Sequence, residues 1–114
     1  MDDGADEFYR GHIRLTRSIA LLRSWLSPAQ LAQFDSEHQF DVTGSATGKR
    51  YRIVDSVVQN VFELDANGNV AMGLCFVPRG NLPVGDVMLS QKIALETDEL
   101  EVLRVANRFG SGSA

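Results

Sequence analysis

Residues 40–76, FDVTGSATGKRYRIVDSVVQNVFELDANGNVAMGLCF, decide the fold of this chain. In four short segments, apolar residues alternate with polar or small residues, a pattern typical of β-strands with one buried face. The apolar members are Phe40 and Val42, Tyr51 and Ile53, Phe62 and Leu64, and Val70, Met72, Leu74 and Phe76. The stretch therefore predicts two successive β-hairpins.

The length of the first turn follows from the faces of its strands, because a slip of one residue moves a whole apolar set to the wrong face. For the apolar pairs of the first and second strands to face each other, the loop between them must contain an even number of residues. Residues 45–48 fit, with Gly44 and Lys49 closing the loop.

The second turn must contain an odd number of residues if the apolar pairs of the third and fourth strands share a face. Residues 66–68 fit as a type I turn followed by Gly68 in the left-handed region. A two-residue turn at Asn67 and Gly68 would place Glu63 opposite Met72, and we reject it for that reason.

The bulk properties describe one small domain. A chain of 114 residues supports one core, and a net charge of −4 argues against a general nucleic-acid binder. The single cysteine excludes an internal disulfide, and no apolar run is long enough to span a bilayer. We expect a cytoplasmic protein with a flexible acidic N-terminus at residues 1–6, one domain at residues 7–109 and a flexible Gly/Ser tail at residues 110–114.

Two helices are predicted before the first strand. Apolar residues at three- and four-residue spacing predict an amphipathic helix over residues 7–26. Its stripe contains Phe8, His12, Leu15, Ile19, Leu22 and Leu26, with Leu21 and Trp25 beside it. Ser27 can then cap a short helix over residues 28–34, with Pro28 at its first position and Gln30 as the capping-box partner. This helix directs Leu31 and Phe34 inward.

A C-terminal helix is predicted after a loop at residues 77–83. Asp86 is the expected N-cap, and the core candidates are Leu89 and Ile93. Continuing the same stripe reaches Glu96, a carboxylate on an apolar face, so we expect a break near Thr97 with Asp98 capping a second segment. The predicted fold is α+β: an N-terminal helix pair, a four-stranded antiparallel β-meander and a C-terminal helix broken near Thr97, with the helices on one face of the sheet.

A longer pattern extends over residues 24–107. Its elements are Phe40-x-Val42-x-Gly44, Thr47-Gly48, Tyr51-x-Ile53, Asn60-Val61, Leu74-Cys75 and Asp86-Val87-Met88-Leu89 with Gln91-Lys92. This pattern resembles a family of small domains in uncharacterised bacterial and phage proteins. The resemblance implies a bacterial or phage origin and carries no activity, cofactor or catalytic residue.

Two basic clusters are the candidate partner-binding residues. Arg10, Arg14 and Arg17 lie at helical spacing on the side of the first helix away from its apolar stripe, where they could dock an acidic partner. The alternative is a solvated helix face on which Asp6 and Glu7 offset part of the charge.

The second basic cluster lies at the tip of the first hairpin and consists of Lys49, Arg50 and Arg52. With Tyr51 among them, these residues could contact a nucleic acid through phosphates and a stacked base. The register, however, directs Tyr51 to the core and Arg50 and Arg52 outward, so solvated strand charge is the preferred interpretation.

Other chemical sites are weakly indicated. Residues 44–50 lack the glycine spacing of a phosphate-binding loop and precede a strand instead of a helix. His12, His38 and Cys75 are too scattered for a zinc site, and Cys75 is expected to be a structural thiol. The acidic residues Glu96, Asp98, Glu99 and Glu101 lack the EF-hand pattern and are expected to cap the helix or be solvated. We therefore predict no catalytic, cofactor or metal residues, and no enzyme activity.

The second face of the last predicted strand carries only small residues, namely Ala71, Gly73 and Cys75. A solvent-facing strand would normally carry polar residues there. We therefore expect a helix of the same chain or another molecule to pack closely on this face. The resulting functional hypothesis is a structural, adaptor or inhibitor module that binds a protein partner or a second copy of itself. Nucleic-acid binding through the basic hairpin is the alternative hypothesis.

Overall fold

A computed structural model describes residues 3–110, with only the backbone described for residues 3–6 and 8. Of the predicted flexible ends, residues 1, 2 and 111–114 lie outside the described part, whereas residues 3–6 form the first turn of a helix. The order of elements is α1 (Asp3–Trp25), α2 (Pro28–Glu37), β1 (Gln39–Thr43), β2 (Arg50–Val54), β3 (Val61–Leu64), β4 (Val70–Cys75), α3 (Val84–Val105) and β5 (Asn107–Phe109). The predicted α+β class is confirmed.

The five strands form one antiparallel sheet in the order β1-β2-β3-β4-β5. Four strands were predicted, and the fifth follows α3 and pairs with β4. The sequence prediction missed it because three residues are too few to show a strand period.

The first hairpin has the predicted register. Phe40 pairs with Ile53 and Val42 pairs with Tyr51, and all four side chains are buried. The Gly44 amide donates to the Lys49 carbonyl over 2.7 Å, which closes the predicted four-residue loop.

The second hairpin has the predicted turn, but the predicted register of its strands is wrong. The amide of Asp65 donates to the carbonyl of Asn69 over 2.8 Å, and Gly68 has a φ of +84°, so the three-residue turn is confirmed. The register then shifts between Glu63 and Leu64, and Glu63 pairs with Met72 after all. Because Ala71 is an extra residue on β4, this bulge reverses the faces.

The third strand consequently presents other residues to the core. Val61 and Leu64 are buried on β3, whereas Phe62, predicted to face the core, lies opposite Gly73 on the other face of the sheet. Turn parity alone was insufficient to predict this arrangement, because a bulge in the strand can absorb the extra residue.

Helix α2 begins as predicted and ends one turn later than predicted. Its Ser27–Gln30 capping box is complete, with hydrogen bonds of 3.0 and 3.2 Å in the two directions. The helix continues to Glu37 and ends at His38, whose φ of 57° lies in the left-handed region. Phe34 is buried beside Phe40, so the inward face of α2 is the predicted one.

Helix α1 packs mainly against α3, and only its C-terminal half reaches the core. Ile19, Leu22 and Leu26 pack there as predicted. His12 is exposed and Leu15 is 44% exposed, so the predicted burial of the N-terminal half of the stripe is wrong. The side chain of Phe8 lies outside the described part of the chain. The reason is that the N-terminal half of α1 extends beyond the start of α3, so α3 does not cover it.

Helix α3 is kinked at Asp98, where φ is −149° and ψ is 49°, which confirms the predicted break. The predicted N-cap is wrong: Pro83 occupies that position, and the amide of Asp86 donates to the hydroxyl of Ser18 on α1 over 2.8 Å. The predicted core position of Ile93 is also wrong, because its side chain is 39% exposed, whereas that of Leu89 is buried as expected.

Candidate functional site

The basic hairpin carries charges that are offset locally. Lys49 pairs with Glu63 on β3 at 2.9 Å, and Arg50 and Arg52 both pair with Asp41 on β1 at 2.7 and 2.8 Å. Burial raises the pKa of Asp41, but the hydrogen bonds from Arg52 and Arg50 outweigh that effect and hold the pKa below its usual value. Arg50 is exposed and Arg52 half-buried on the outward face, and Tyr51 faces the core, as the register predicted.

The arginines of α1 differ from this arrangement. Arg10, Arg14 and Arg17 are all exposed. Of the carboxylates in the described part of the chain, none lies within salt-bridge distance of Arg14 or Arg17. Unlike the hairpin residues, they form no ion pair with a described carboxylate, although Asp86 lines the same groove as Arg14 and Arg17.

Apolar residues are exposed along the same helix. Tyr9 and Trp25 are more than half exposed, and Leu15 and Leu21 nearly half. Leu15 lies four residues before Ile19 and seven before Leu22, so it continues the buried face of α1 beyond the point where α3 begins. One continuous helix face is thus buried at one end and uncovered at the other.

A shallow groove of about 190 Å³ follows this uncovered face. It lies between α1 and the loop before α3, and its lining residues are Gly11, Arg14, Leu15, Asn81, Leu82 and Pro83. Leu82 is itself 37% exposed. The groove therefore combines an apolar floor with one arginine. We call the groove and the uncovered helix face together the α1 surface.

The position of α1 is set by a close contact with α3. Gly85 lies against Ser18, and a Cβ atom at Gly85 would overlap the hydroxyl and the backbone of Ser18. Ser18 is buried and its hydroxyl accepts the Asp86 amide, which satisfies one of the free N–H groups at the start of α3. The C-terminal half of α1 is therefore firmly attached to α3, and this attachment fixes the position of the α1 surface.

A buried carboxylate lies at the kink of α3, a position that the sequence interpretation assigned to capping or solvent. Glu99 is fully buried and accepts hydrogen bonds from the amides of Ala46 and Thr47 at 2.9 and 2.7 Å. It also accepts from the hydroxyls of Thr47 and Tyr51 at 2.5 and 2.6 Å. In return, the Glu99 amide donates to the Ser45 hydroxyl over 3.1 Å.

The turn at residues 45–48 therefore holds an anion, and that anion is a side chain of the same protein. Burial raises the pKa of Glu99, but the hydrogen bonds from Thr47 and Tyr51 and the two amides outweigh it and lower the pKa to about 2. Burial and the neighbouring carboxylate raise the pKa of Tyr51. Gly44 is required here, because a Cβ atom would overlap the Glu99 carboxylate. All four hydrogen bonds to the Glu99 carboxylate come from groups of the same chain. The cluster therefore has no unsatisfied group that could bind a substrate.

A second buried polar pair joins the sheet to α3. The amides of Asn60 and Gln91 exchange hydrogen bonds of 2.7 and 3.0 Å, and Gln91 also donates to the Phe76 carbonyl over 2.8 Å. Both side chains are almost fully buried. Because each amide satisfies the other, the pair stabilises the fold.

A polar groove of about 640 Å³ lies between α2, β1 and α3. Lys92 is buried there and pairs with Glu96, which also accepts from Gln30 over 3.1 Å. Gln33 and Gln30 bond the amide and the carbonyl of Asp41 at 2.9 and 3.0 Å. These side chains cover the exposed edge of β1, so the groove contributes to protecting that edge.

The small-residue face of β4 is covered from within the chain at Gly73. A Cβ atom at Gly73 would overlap the ring of Phe109 on β5, and Phe109 stacks edge to face on Phe62 with ring centroids 5.6 Å apart. The expected close packing is present at Gly73 only, since Ala71 is exposed and Cys75 is half-buried. The neighbour is a strand of the same chain instead of the predicted helix or second molecule. Neither a helix nor a second molecule is needed at Gly73.

The remaining candidate groups are isolated. His12 and His38 are exposed, and Cys75 is half-buried. Among the residues that the structure describes, no three His, Cys, Asp or Glu side chains lie close enough to hold a metal ion. No helix within residues 3–110 combines the length and the apolar character needed to cross a membrane.

Comparison with protein-family models, with curated proteins and with solved structures gives no match for this chain. The α1 surface is therefore the feature of this molecule that bears most directly on function.

Proposed function

We propose that this chain is a small, non-enzymatic protein–protein interaction module and that the α1 surface is where its partner docks. The observation that carries the proposal is the continuous face of α1, which is buried from Ile19 onward and uncovered at Leu15. A long helix that exposes apolar side chains beyond its own core is typical of a binding element.

The charges on α1 support the same proposal. Arg14 and Arg17 stand beside the uncovered apolar face, and neither forms an ion pair with a described carboxylate. Interfaces commonly combine an apolar centre with arginines that fix orientation. Among the predicted partner-binding residues, we therefore assign Arg10, Arg14 and Arg17 the main role. Lys49, Arg50 and Arg52 are assigned a lesser one, because each pairs with a carboxylate.

The test is capture of partners from a nuclease-treated lysate of the native host, compared between the wild type and Leu15→Glu. Leu15 is nearly half exposed, so the substitution leaves the core intact while placing a charge on the α1 surface. Leu100→Glu, the same substitution at an exposed leucine of α3, is the matched control. We expect a stoichiometric protein partner with the wild type and the control, and at least tenfold less with Leu15→Glu.

Two results would overturn the proposal. The first is undiminished partner capture by Leu15→Glu with an unchanged circular dichroism spectrum. The second is recovery of nucleic acid alone when the nuclease is omitted, with affinity falling steeply as salt is raised, which would favour the hairpin instead.

A further inference from the structure

The turn between β3 and β4 carries an asparagine next to a glycine. The chain contains five asparagines, and only Asn67 precedes a glycine, whereas the other four precede residues with larger side chains. Asn67 is exposed, and nothing lies within 4 Å of where a Cβ atom of Gly68 would be. The side chain of Asn67 and the backbone nitrogen of Gly68 therefore have room to approach each other.

Such a pair can react within the chain. The Gly68 nitrogen forms a bond to Cγ of Asn67, the bond from Cγ to Nδ2 breaks, and the Gly68 amide proton leaves with Nδ2 as ammonia. The product is a five-membered succinimide ring. Water then opens the ring at either of its two carbonyl carbons, which leaves aspartate or isoaspartate at position 67. A following glycine favours the attack because it has no Cβ atom to hinder the approach.

We propose that Asn67 is a site of spontaneous modification in the folded protein, with water as the co-reactant. The turn itself requires the glycine that makes Asn67 reactive. Gly68 has a φ of +84°, in the left-handed region that a residue with a side chain rarely adopts, and this conformation closes the three-residue turn. The fold therefore keeps the reactive pair at an exposed hairpin tip.

The closed turn restrains the reaction, because the Gly68 amide already has a partner. It donates to the Asp65 carbonyl over 3.0 Å, and the Asp65 carboxylate accepts the amides of Asn67 and Asn69 at 2.8 and 3.0 Å. The Gly68 nitrogen can attack only after its own hydrogen bond has broken. Residues 65–71 are exposed apart from the half-buried Gly68, so opening the turn disturbs no buried residue. Local opening of the turn therefore controls the rate.

The isoaspartate product changes the hairpin itself. Its main chain continues through the former side-chain carbons, so the turn gains one backbone atom. The present turn is closed by the Asp65 amide, which donates to the Asn69 carbonyl over 2.8 Å, and by the bond from Gly68 to Asp65. A longer turn cannot keep both bonds in the register that buries Val61 and Leu64. The aspartate product keeps the backbone and adds one negative charge beside Asp65.

The experiment incubates the full chain at mildly alkaline pH and locates each conversion by peptide mapping with tandem mass spectrometry. We expect Asn67 to convert at least tenfold faster than Asn69 or Asn81, which are also exposed but precede Val70 and Leu82. The rate should rise with pH, since the attacking nitrogen must lose its proton. A rate at Asn67 no greater than that at Asn69 would overturn the proposal. So would a folded chain that shows no conversion after the urea-unfolded chain has reacted completely.

Asp65→Ala separates control by the turn from an effect of local sequence alone. The substitution removes the carboxylate that accepts two amides of the turn, so we expect Asn67 to convert several times faster in the folded protein. Asp55→Ala, at an exposed aspartate of the loop before β3, is the matched control and should leave the rate unchanged. In urea all three proteins should react equally fast, because no turn remains. Equal rates for Asp65→Ala and the wild type under folding conditions would contradict control by the turn.

The effect on the hairpin is measured on the product. Asn67→Asp carries the added charge on an unchanged backbone and is the reference for the isoaspartate form, which chromatography separates from the aged wild type. We expect the isoaspartate form to unfold at a lower urea concentration than Asn67→Asp. Equal midpoints would show that the hairpin accepts the longer turn and would overturn the proposed effect on its register.

Discussion

Replacing Glu99 with glutamine tests the most consequential buried contact in the molecule. The pKa of this carboxyl falls from an ordinary value of 4.5 to about 2, because four hydrogen bonds outweigh the effect of burial. Each tenfold change in proton affinity corresponds to about 1.4 kcal/mol. Ionised Glu99 therefore contributes about 3 kcal/mol to the free energy of unfolding at neutral pH, a substantial part of the stability of a small domain.

Glutamine has nearly the shape of glutamate, so the substitution removes the charge without opening a cavity. Its carbonyl oxygen can still accept from the amides of Ala46 and Thr47, and its amino group can donate to the two hydroxyls if these rotate. We expect Glu99→Gln to lower the free energy of unfolding by about 2–3 kcal/mol at pH 7, because charge-assisted hydrogen bonds become neutral ones. Glu101→Gln, at an exposed carboxylate of the same helix, is the control.

The direction of the pKa shift determines how the stability contribution of Glu99 changes with pH. A carboxyl whose pKa is lower in the folded state stabilises the fold above its unfolded pKa, and that stability is lost as the pH falls toward the folded value. The difference between wild type and Glu99→Gln should therefore be full at pH 7 and shrink from about pH 4.5 toward pH 2.

Urea denaturation followed by far-ultraviolet circular dichroism measures this difference, since Trp25 is too exposed to report on the core. Two results would refute the reasoning: a loss below about 0.5 kcal/mol at pH 7, or a difference that stays constant down to pH 2.

Three further contacts are probed by the same urea measurement. Asn60→Ala should lower the free energy of unfolding by about 1–3 kcal/mol, because the side-chain oxygen of buried Gln91 loses its hydrogen-bond donor; an unchanged midpoint would contradict this. Gly73→Val should cost about 1–3 kcal/mol by displacing Phe109. Adding Phe109→Ala should cost less in that background than in the wild type, and additive losses would argue against the overlap. Ser27→Ala should cost about 1 kcal/mol by removing the cap of α2, and no change would show that the capping box is dispensable.

Local patterns in the sequence predicted the first hairpin and the second helix well. The alternation around Tyr51 and Ile53 and the even loop at residues 45–48 yielded the observed register. The Ser27–Gln30 capping box was equally predictable, because both partners lie within one turn of the chain. Such features depend on neighbours in sequence, and no distant residue overrides them here.

Features that depend on distant residues were missed. The bulge at Ala71 reversed the expected faces of Phe62 and Glu63, and the sequence around it contains no separate signal for it. The burial of Glu99 had two partial signals: a tyrosine predicted on the core face needs a partner for its hydroxyl, and a break near Thr97 left nearby carboxylates unassigned. Combining them requires knowing that residues 51 and 99 meet.

For the α1 surface, sequence alone determined the residue types and their helical spacing, including the exposed arginines at positions 10, 14 and 17. Only the tertiary structure decided where the core ends along that helix. Periodicity shows which face of a helix is apolar, but not how far the neighbouring helix extends to cover it. Because α3 begins opposite Ser18, Leu15 is left uncovered. The stripe that was predicted to be core along its whole length is therefore core at one end and a candidate interface at the other.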